Sequence, residues 1–150
     1  MKILIADDHP LIRKRFIELI KEEFPYAKIE EASSGHEVLE KMKNKIWNII
    51  LLDVTMPGKN GMETLKRAKQ LSFETPVLLF SLNNQHEYAI RAIKAGASGY
   101  LTKESSFNEL VDAVKKITSG GKYITKSLAR KCNIIIKLQK LSDLKPFQFN

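Results

Sequence analysis

A chain of 150 residues, 43% of them hydrophobic, has the size and apolar content of one domain that packs a core without staples. The one cysteine, Cys132, excludes an intrachain disulfide framework, and the few apolar residues ahead of the first aspartates are too short for a signal peptide. No apolar run is long enough to span a bilayer, so the cytoplasm is the expected compartment. The formal net charge of +8 is uneven: residues 1–118 hold 18 basic against 16 acidic side chains, residues 119–150 seven against one. A basic tail of this kind suits a phosphate-binding surface, but a solvated helix face or linker is the commoner origin.

Apolar runs alternate with amphipathic stretches from the start. Residues 2–6 read as a strand, Leu11, Ile12, Phe16, Leu19 and Ile20 recur with helical spacing, and residues 27–31 read as a second, short strand. Ser34-Gly35-His36-Glu37 has the form of a capping box opening a helix through Met42. Residues 48–52 then make a run apolar on both faces, which belongs in the middle of a parallel sheet. The alternation continues with a helix over 61–71, a strand over 77–80 after Pro76, a helix over 84–95 and a strand over 99–101. Ser106-Phe107-Asn108-Glu109 reads as the cap of a fifth helix. Five strands and five helices in residues 1–118 predict a three-layer, doubly wound α/β domain. Gly120-Gly121 is the expected boundary, followed over 119–150 by a linker and an extra C-terminal helix at 127–141, with the last residues fraying.

Asp7 and Asp8 follow the first strand and Asp53 the third, so a parallel sheet puts all three at the carboxyl ends of its strands. With the flavodoxin-like order 2-1-3-4-5, strands 1 and 3 are neighbours, and the crevice between them is the topological switch point where ligands bind. Three converging carboxylates either take up protons or share a cation. An oxygen-only ligand set favours Mg²⁺, which is held by one or two carboxylates together with phosphate. A carboxylate is also a competent phosphoryl acceptor, because that transfer needs mainly in-line positioning and neutralised charge. Lys103, just after the fifth strand on the same edge, can supply a point cation. Ser81, ending the fourth strand, can donate its hydroxyl to a phosphoryl oxygen.

Taken together, Asp7-Asp8, Asp53-Val54-Thr55-Met56-Pro57 with Gly61, Ser81, Tyr100 and Lys103 resemble the response-regulator receiver family over residues 2–118. The resemblance implies that Asp53 is the phosphoacceptor. It makes Asp8 and Asp53 direct Mg²⁺ ligands, Asp7 a water-mediated one and the Thr55 backbone carbonyl a further ligand. By the same resemblance Lys103 holds the phosphate, Ser81 moves toward it, and Tyr100 changes rotamer to alter the surface of helix 4, strand 5 and helix 5. The segments 4–10, 96–103 and 120–124 are similar to the LuxR/NarL-type subfamily, which usually continues into a helix-turn-helix DNA-binding domain. Residues 141–146 resemble the entry to that domain, so this sequence is expected either to be part of a longer protein or to lack that output. The implied partners are a sensor histidine kinase or phosphotransfer protein and a second copy on phosphorylation, with DNA reached only through an output domain and no membrane contact.

Two positions depart from the family pattern. Glu104 follows Lys103 where many receivers have proline, which puts any cis peptide there in doubt. Leu82 is bulkier than the residue many receivers carry after Ser81, and is expected to restrict access to Asp53 and slow phosphoryl exchange with water. Taken singly, each motif residue also has a plainer reading. Asp7 or Asp8 can stabilise the start of a helix, Ser81 can close a turn, Tyr100 can be a half-buried aromatic, and Lys103 a solvated charge. His9, His36, His86 and Cys132 lack metal-ligand spacing and are given no role. An aspartate-based phosphohydrolase commonly needs a second acid two residues after the nucleophile, and Thr55 stands there. A nucleic-acid binder is the other competing class, and the tail offers it one helix without a complete helix-turn-helix.

Overall fold

The computed structural model describes residues 1–56, 60–81 and 86–130. Its elements are β1 (Lys2–Ala6), α1 (Pro10–Glu23), β2 (Lys28–Ala32), α2 (Gly35–Asn44), β3 (Ile49–Asp53) and α3 (Gly61–Leu71), followed by β4 (Val77–Ser81), α4 (His86–Lys94), β5 (Gly99–Thr102), α5 (Lys103–Thr118) and β6 (Tyr123–Ile124). All strand pairs are parallel, in the order β2-β1-β3-β4-β5-β6. The predicted order 2-1-3-4-5 is therefore present, with a sixth, two-residue strand added at the β5 edge.

Alternation along the central strands divides the core in two. Leu4, Ile50, Leu52 and Leu79 join Val38 of α2, Leu65 of α3 and Ile90 of α4 on one face. Ile3, Ile5, Leu51 and Phe80 join Phe16 of α1 and Leu110 of α5 on the other. Each strand residue moves to the opposite face from its neighbour, as the two-residue period of a strand requires. This is why β3 and β4 are buried along their whole length and contain no polar residue before their last positions.

The caps explain several element starts. Glu37 N donates to Ser34 Oγ at 3.2 Å, as a capping box requires, while the return arm from Glu37 Oε1 accepts from Ser33 N at 2.9 Å instead of from the cap residue itself. Asn60 opens α3 by accepting from Glu63 N at 2.8 Å.

The capping box expected at Ser106–Glu109 does not form. α5 starts at Lys103, one full turn earlier, and Ser106 Oγ bonds back to the Lys103 carbonyl at 2.9 Å. Glu109 is instead committed to the chain after the helix: its Oε1 accepts from Tyr123 Oη at 2.6 Å and from Lys126 N at 3.0 Å. Thr125, fully buried, accepts from Thr102 N at 2.9 Å, and Leu128 enters the core beside Tyr100. The packed body thus runs through Gly120-Gly121 as far as Leu128. Residues 126–130 are helical, and the rest of the helix expected over 127–141 lies outside the described residues, as do Pro57 and Leu82. Among the described residues no peptide bond is cis, including that between Lys103 and Glu104, and no helix is long and apolar enough to cross a membrane.

Candidate functional site

Asp7, Asp8 and Asp53 meet at the carboxyl edge of the sheet because β1 and β3 are adjacent and in register, Ala6 opposite Leu52. Asp7 and Asp53 are fully buried. One Asp53 oxygen, Oδ1, accepts from Thr55 N and Thr55 Oγ1, both at 3.0 Å. The other, Oδ2, lies 3.3 Å from Lys103 Nζ. Lys103 reaches it from the first turn of α5 with its ammonium 5.9 Å from the centre of the Phe80 ring, so an apolar stem delivers a charge into the pocket.

The loop after β3 is held close by Gly61. Gly61 N donates to the Val54 carbonyl at 3.0 Å, and a Cβ at this position would lie 2.4 Å from the Val54 Cα. Any side chain here pushes the start of α3 away from the Asp53 turn. The requirement is close approach of two backbones.

Ser81 is buried at the end of β4, one residue beyond the Phe80 that pairs with Asp53 and opposite Thr102 on β5. It shares the functional edge. Tyr100 does not: it is fully buried, its ring 5.9 Å from that of Tyr88 on α4, on the sheet face that carries α2, α3 and α4. The plainer reading of Tyr100 as half-buried therefore fails.

His9, expected to have no role, lies in the acidic cluster. Its Nδ1 is 2.8 Å from Asp7 Oδ1, 3.1 Å from Asp8 Oδ1 and 3.8 Å from Asp53 Oδ2. The signal available was the Asp-Asp-His-Pro order itself, since Pro10 fixes the first turn of α1 and leaves His9 as the residue that turns back toward the aspartates. The Thr55 side chain was also missed, because only its backbone carbonyl was expected to matter.

Burial holds the Asp7 carboxyl above the usual carboxylate range; hydrogen bonds from His9 pull it down, and the Asp53 charge pushes it up. Asp7 Oδ2 and Asp8 Oδ1 are buried and accept no hydrogen bond among the described residues. Buried carboxylate oxygens without donors are costly, and a hard divalent cation is the group whose chemistry satisfies them. One potential ligand atom from each of Asp7, Asp8, His9 and Asp53 lies within 4.8 Å of the others, so the residues fit an ion such as Mg²⁺.

Residues 3–115 match the family model described as the response regulator receiver domain. The chain is 34% identical over 126 residues to the nitrate/nitrite response regulator protein NarL of Escherichia coli (strain K12), covering 84% of this chain and 58% of that protein. It thus spans little more than half the length of that relative. A solved two-component response regulator of the LuxR family from Aurantimonas sp. SI85-9A1 superposes with a TM-score of 0.82 at 30% identity, covering 88% of this chain and 94% of that one. The signal receiver domain of the putative response regulator NarL from Mycobacterium tuberculosis gives a TM-score of 0.71 at 30% identity, over 79% and 96% of the two chains. Fold, acidic edge and sequence agree, and the chain belongs to the response regulator receiver domain family of two-component systems, with NarL- and LuxR-type regulators among its homologues.

Proposed function

We propose that this receiver accepts a phosphoryl group on Asp53 from a sensor histidine kinase or phosphotransfer protein, with Mg²⁺ bound, and passes the change on as altered self-association or a transcriptional output. The observation that carries this reading is the pairing of Lys103 with a buried Asp53 beside two carboxylate oxygens that no donor among the described residues satisfies. Asp8, Asp53 and the Thr55 carbonyl would hold the ion directly and Asp7 through water. The ion, when bound, neutralises charge on the phosphoryl oxygens.

The chain's own residues supply the rest. A carboxylate oxygen of Asp53 forms a bond to phosphorus as the donor's phosphorus–nitrogen bond breaks, its electron pair staying with the histidine nitrogen. Lys103 passes from the carboxylate to a phosphoryl oxygen, and Thr55 keeps the turn oriented through its two bonds to Asp53. Ser81 donates to another phosphoryl oxygen, and Tyr100 repacks beside α4 in response. The protein acts as a phosphoacceptor and not as a turnover enzyme. It works in the cytoplasm away from the membrane, residues 119–150 lead toward an output, and DNA is reached only through an output domain.

Intact-protein mass spectrometry after incubation with acetyl phosphate tests the reading. One phosphate adduct is expected with Mg²⁺ present, and none after chelation or in Asp53→Asn. An equal adduct in Asp53→Asn would falsify it.

A further inference from the structure

We propose that Lys69 is a nucleophilic modification site, acylated on Nζ by small acyl phosphates such as acetyl phosphate, at the opposite edge of the sheet from Asp53. A cleft of about 300 Å³ opens at the amino ends of β4 and β5, where Lys69 of α3 and Lys122, in the turn after α5, share its lining with Phe73, Glu74, Pro76 and Ile117. Three features fix the Lys69 side chain there. Its stem runs past Gly96, where an added Cβ would lie 3.1 Å from Lys69 Cγ, and that glycine's φ of 106° is one other residues rarely adopt. Its Nζ donates to the Thr75 carbonyl at 2.9 Å and lies 5.5 Å from the centre of the Phe73 ring. The turn that carries both groups is closed by Ser72 Oγ and Thr75 Oγ1, 2.7 Å apart.

This amine differs from an ordinary surface cation. Its carbonyl and ring contacts bring no counter-charge, and burial, then the Lys122 charge, hold its titration below the usual lysine range. More of it is therefore in the neutral, nucleophilic form. Glu74 is the acidic side chain lining the cleft, and it makes no ion pair with Lys69 among the described residues. The same layout suits an acyl phosphate. Lys122 can draw the dianionic phosphate, while Phe73, 82% exposed, and Pro76 offer an apolar wall to the acyl group. The volume, at the small end for ligand sites, fits a small donor. In the step, the amine nitrogen bonds to the acyl carbon, the carbon–oxygen bond to phosphate breaks with its electron pair leaving on phosphate, and the amine proton passes to that phosphate. An amide and inorganic phosphate result, with Mg²⁺ and Asp53 uninvolved.

Peptide-resolved mass spectrometry of the full chain incubated with acetyl phosphate and a chelator tests this, under conditions where neither outcome depends on phosphoryl acceptance at Asp53. Lys69 is expected to be acetylated about tenfold faster than Lys66, which is exposed on the same helix. The preference should vanish in the urea-unfolded chain, and should shrink as pH rises toward about 10.4, where ordinary lysines also become neutral. Lys122→Gln, with its fold checked by circular dichroism, is expected to lower the Lys69 rate about threefold or more while leaving Lys66 unchanged. Acetylation of Lys69 no faster than of Lys66, a preference that persists in the unfolded chain, or one indifferent to Lys122→Gln would overturn the proposal.

Discussion

Asp53 is a carboxylate at the end of a strand that is otherwise wholly apolar, and each of its oxygens has a defined partner: Thr55 on one, Lys103 on the other. Removing Lys103 leaves a buried carboxylate and a phosphoryl group without their cation. Lys103→Ala is expected to slow phosphorylation by acetyl phosphate by about 10²–10³-fold, the range for loss of one preorganised charge-stabilising group, in a mass-spectrometric time course. An unchanged rate would assign charge neutralisation elsewhere. Asp7 behaves oppositely. Burial favours its protonated form, so the ionised carboxylate destabilises the metal-free fold, and stability is lost as pH rises through its folded titration. Asp7→Asn should therefore raise the metal-free melting temperature at neutral pH by about 2–4 °C, and should lessen the further rise on adding Mg²⁺. Calorimetry with and without chelator reads both changes.

At the scale of elements, the attachment of β6 and the turn after it is the least expected feature and the simplest to perturb. Glu109 ties α5 to Tyr123 and Lys126, and Thr125 extends the bonding of β5 one residue before Lys103. Glu109→Ala removes the shared acceptor and is expected to cost about 1–3 kcal/mol and to speed amide exchange over residues 122–130 more than in the central strands. Uniform acceleration would mean that this edge does not open independently. Burial and the Glu109 carboxylate hold the Tyr123 phenol in its protonated form well past its ordinary 10.0. The unfolded chain releases that proton first, so this contribution is complete below pH 10.0 and is lost as pH rises above it. In Tyr123→Phe the loss of stability above pH 10.0 should be shallower than in wild type.

The whole molecule was largely legible because its core obeys one rule: apolar alternation in the strands and a helical period between them. That rule, with the carboxylates read at strand ends, was enough to bring Asp7, Asp8, Asp53, Ser81 and Lys103 to one edge. It failed where residues act away from their local pattern. Ser106 and Glu109 spell a helix start but are used inside α5, because Thr102 already ends β5 and the helix follows without a loop. Tyr123 and Ile124 are too few to announce a strand, and only the open β5 edge recruits them. His9 lacks metal-ligand spacing along the chain, and its place in the cluster depends on the turn between β1 and α1. The close packing of Gly61 on Val54 belongs to this scale too. Gly61→Ala should lower stability by about 1–3 kcal/mol in denaturant unfolding, while a wild-type midpoint would show that the loop yields freely.

The central claim is that Asp53 carries the phosphoryl group. Borohydride reduction of the phosphorylated protein followed by peptide mass spectrometry tests it directly, because hydride converts an acyl phosphate to an alcohol at the residue that bore it. Homoserine at position 53, absent without Mg²⁺, is the result expected. Reduction at another carboxylate, or a phosphate that survives on a serine or threonine, would contradict the account.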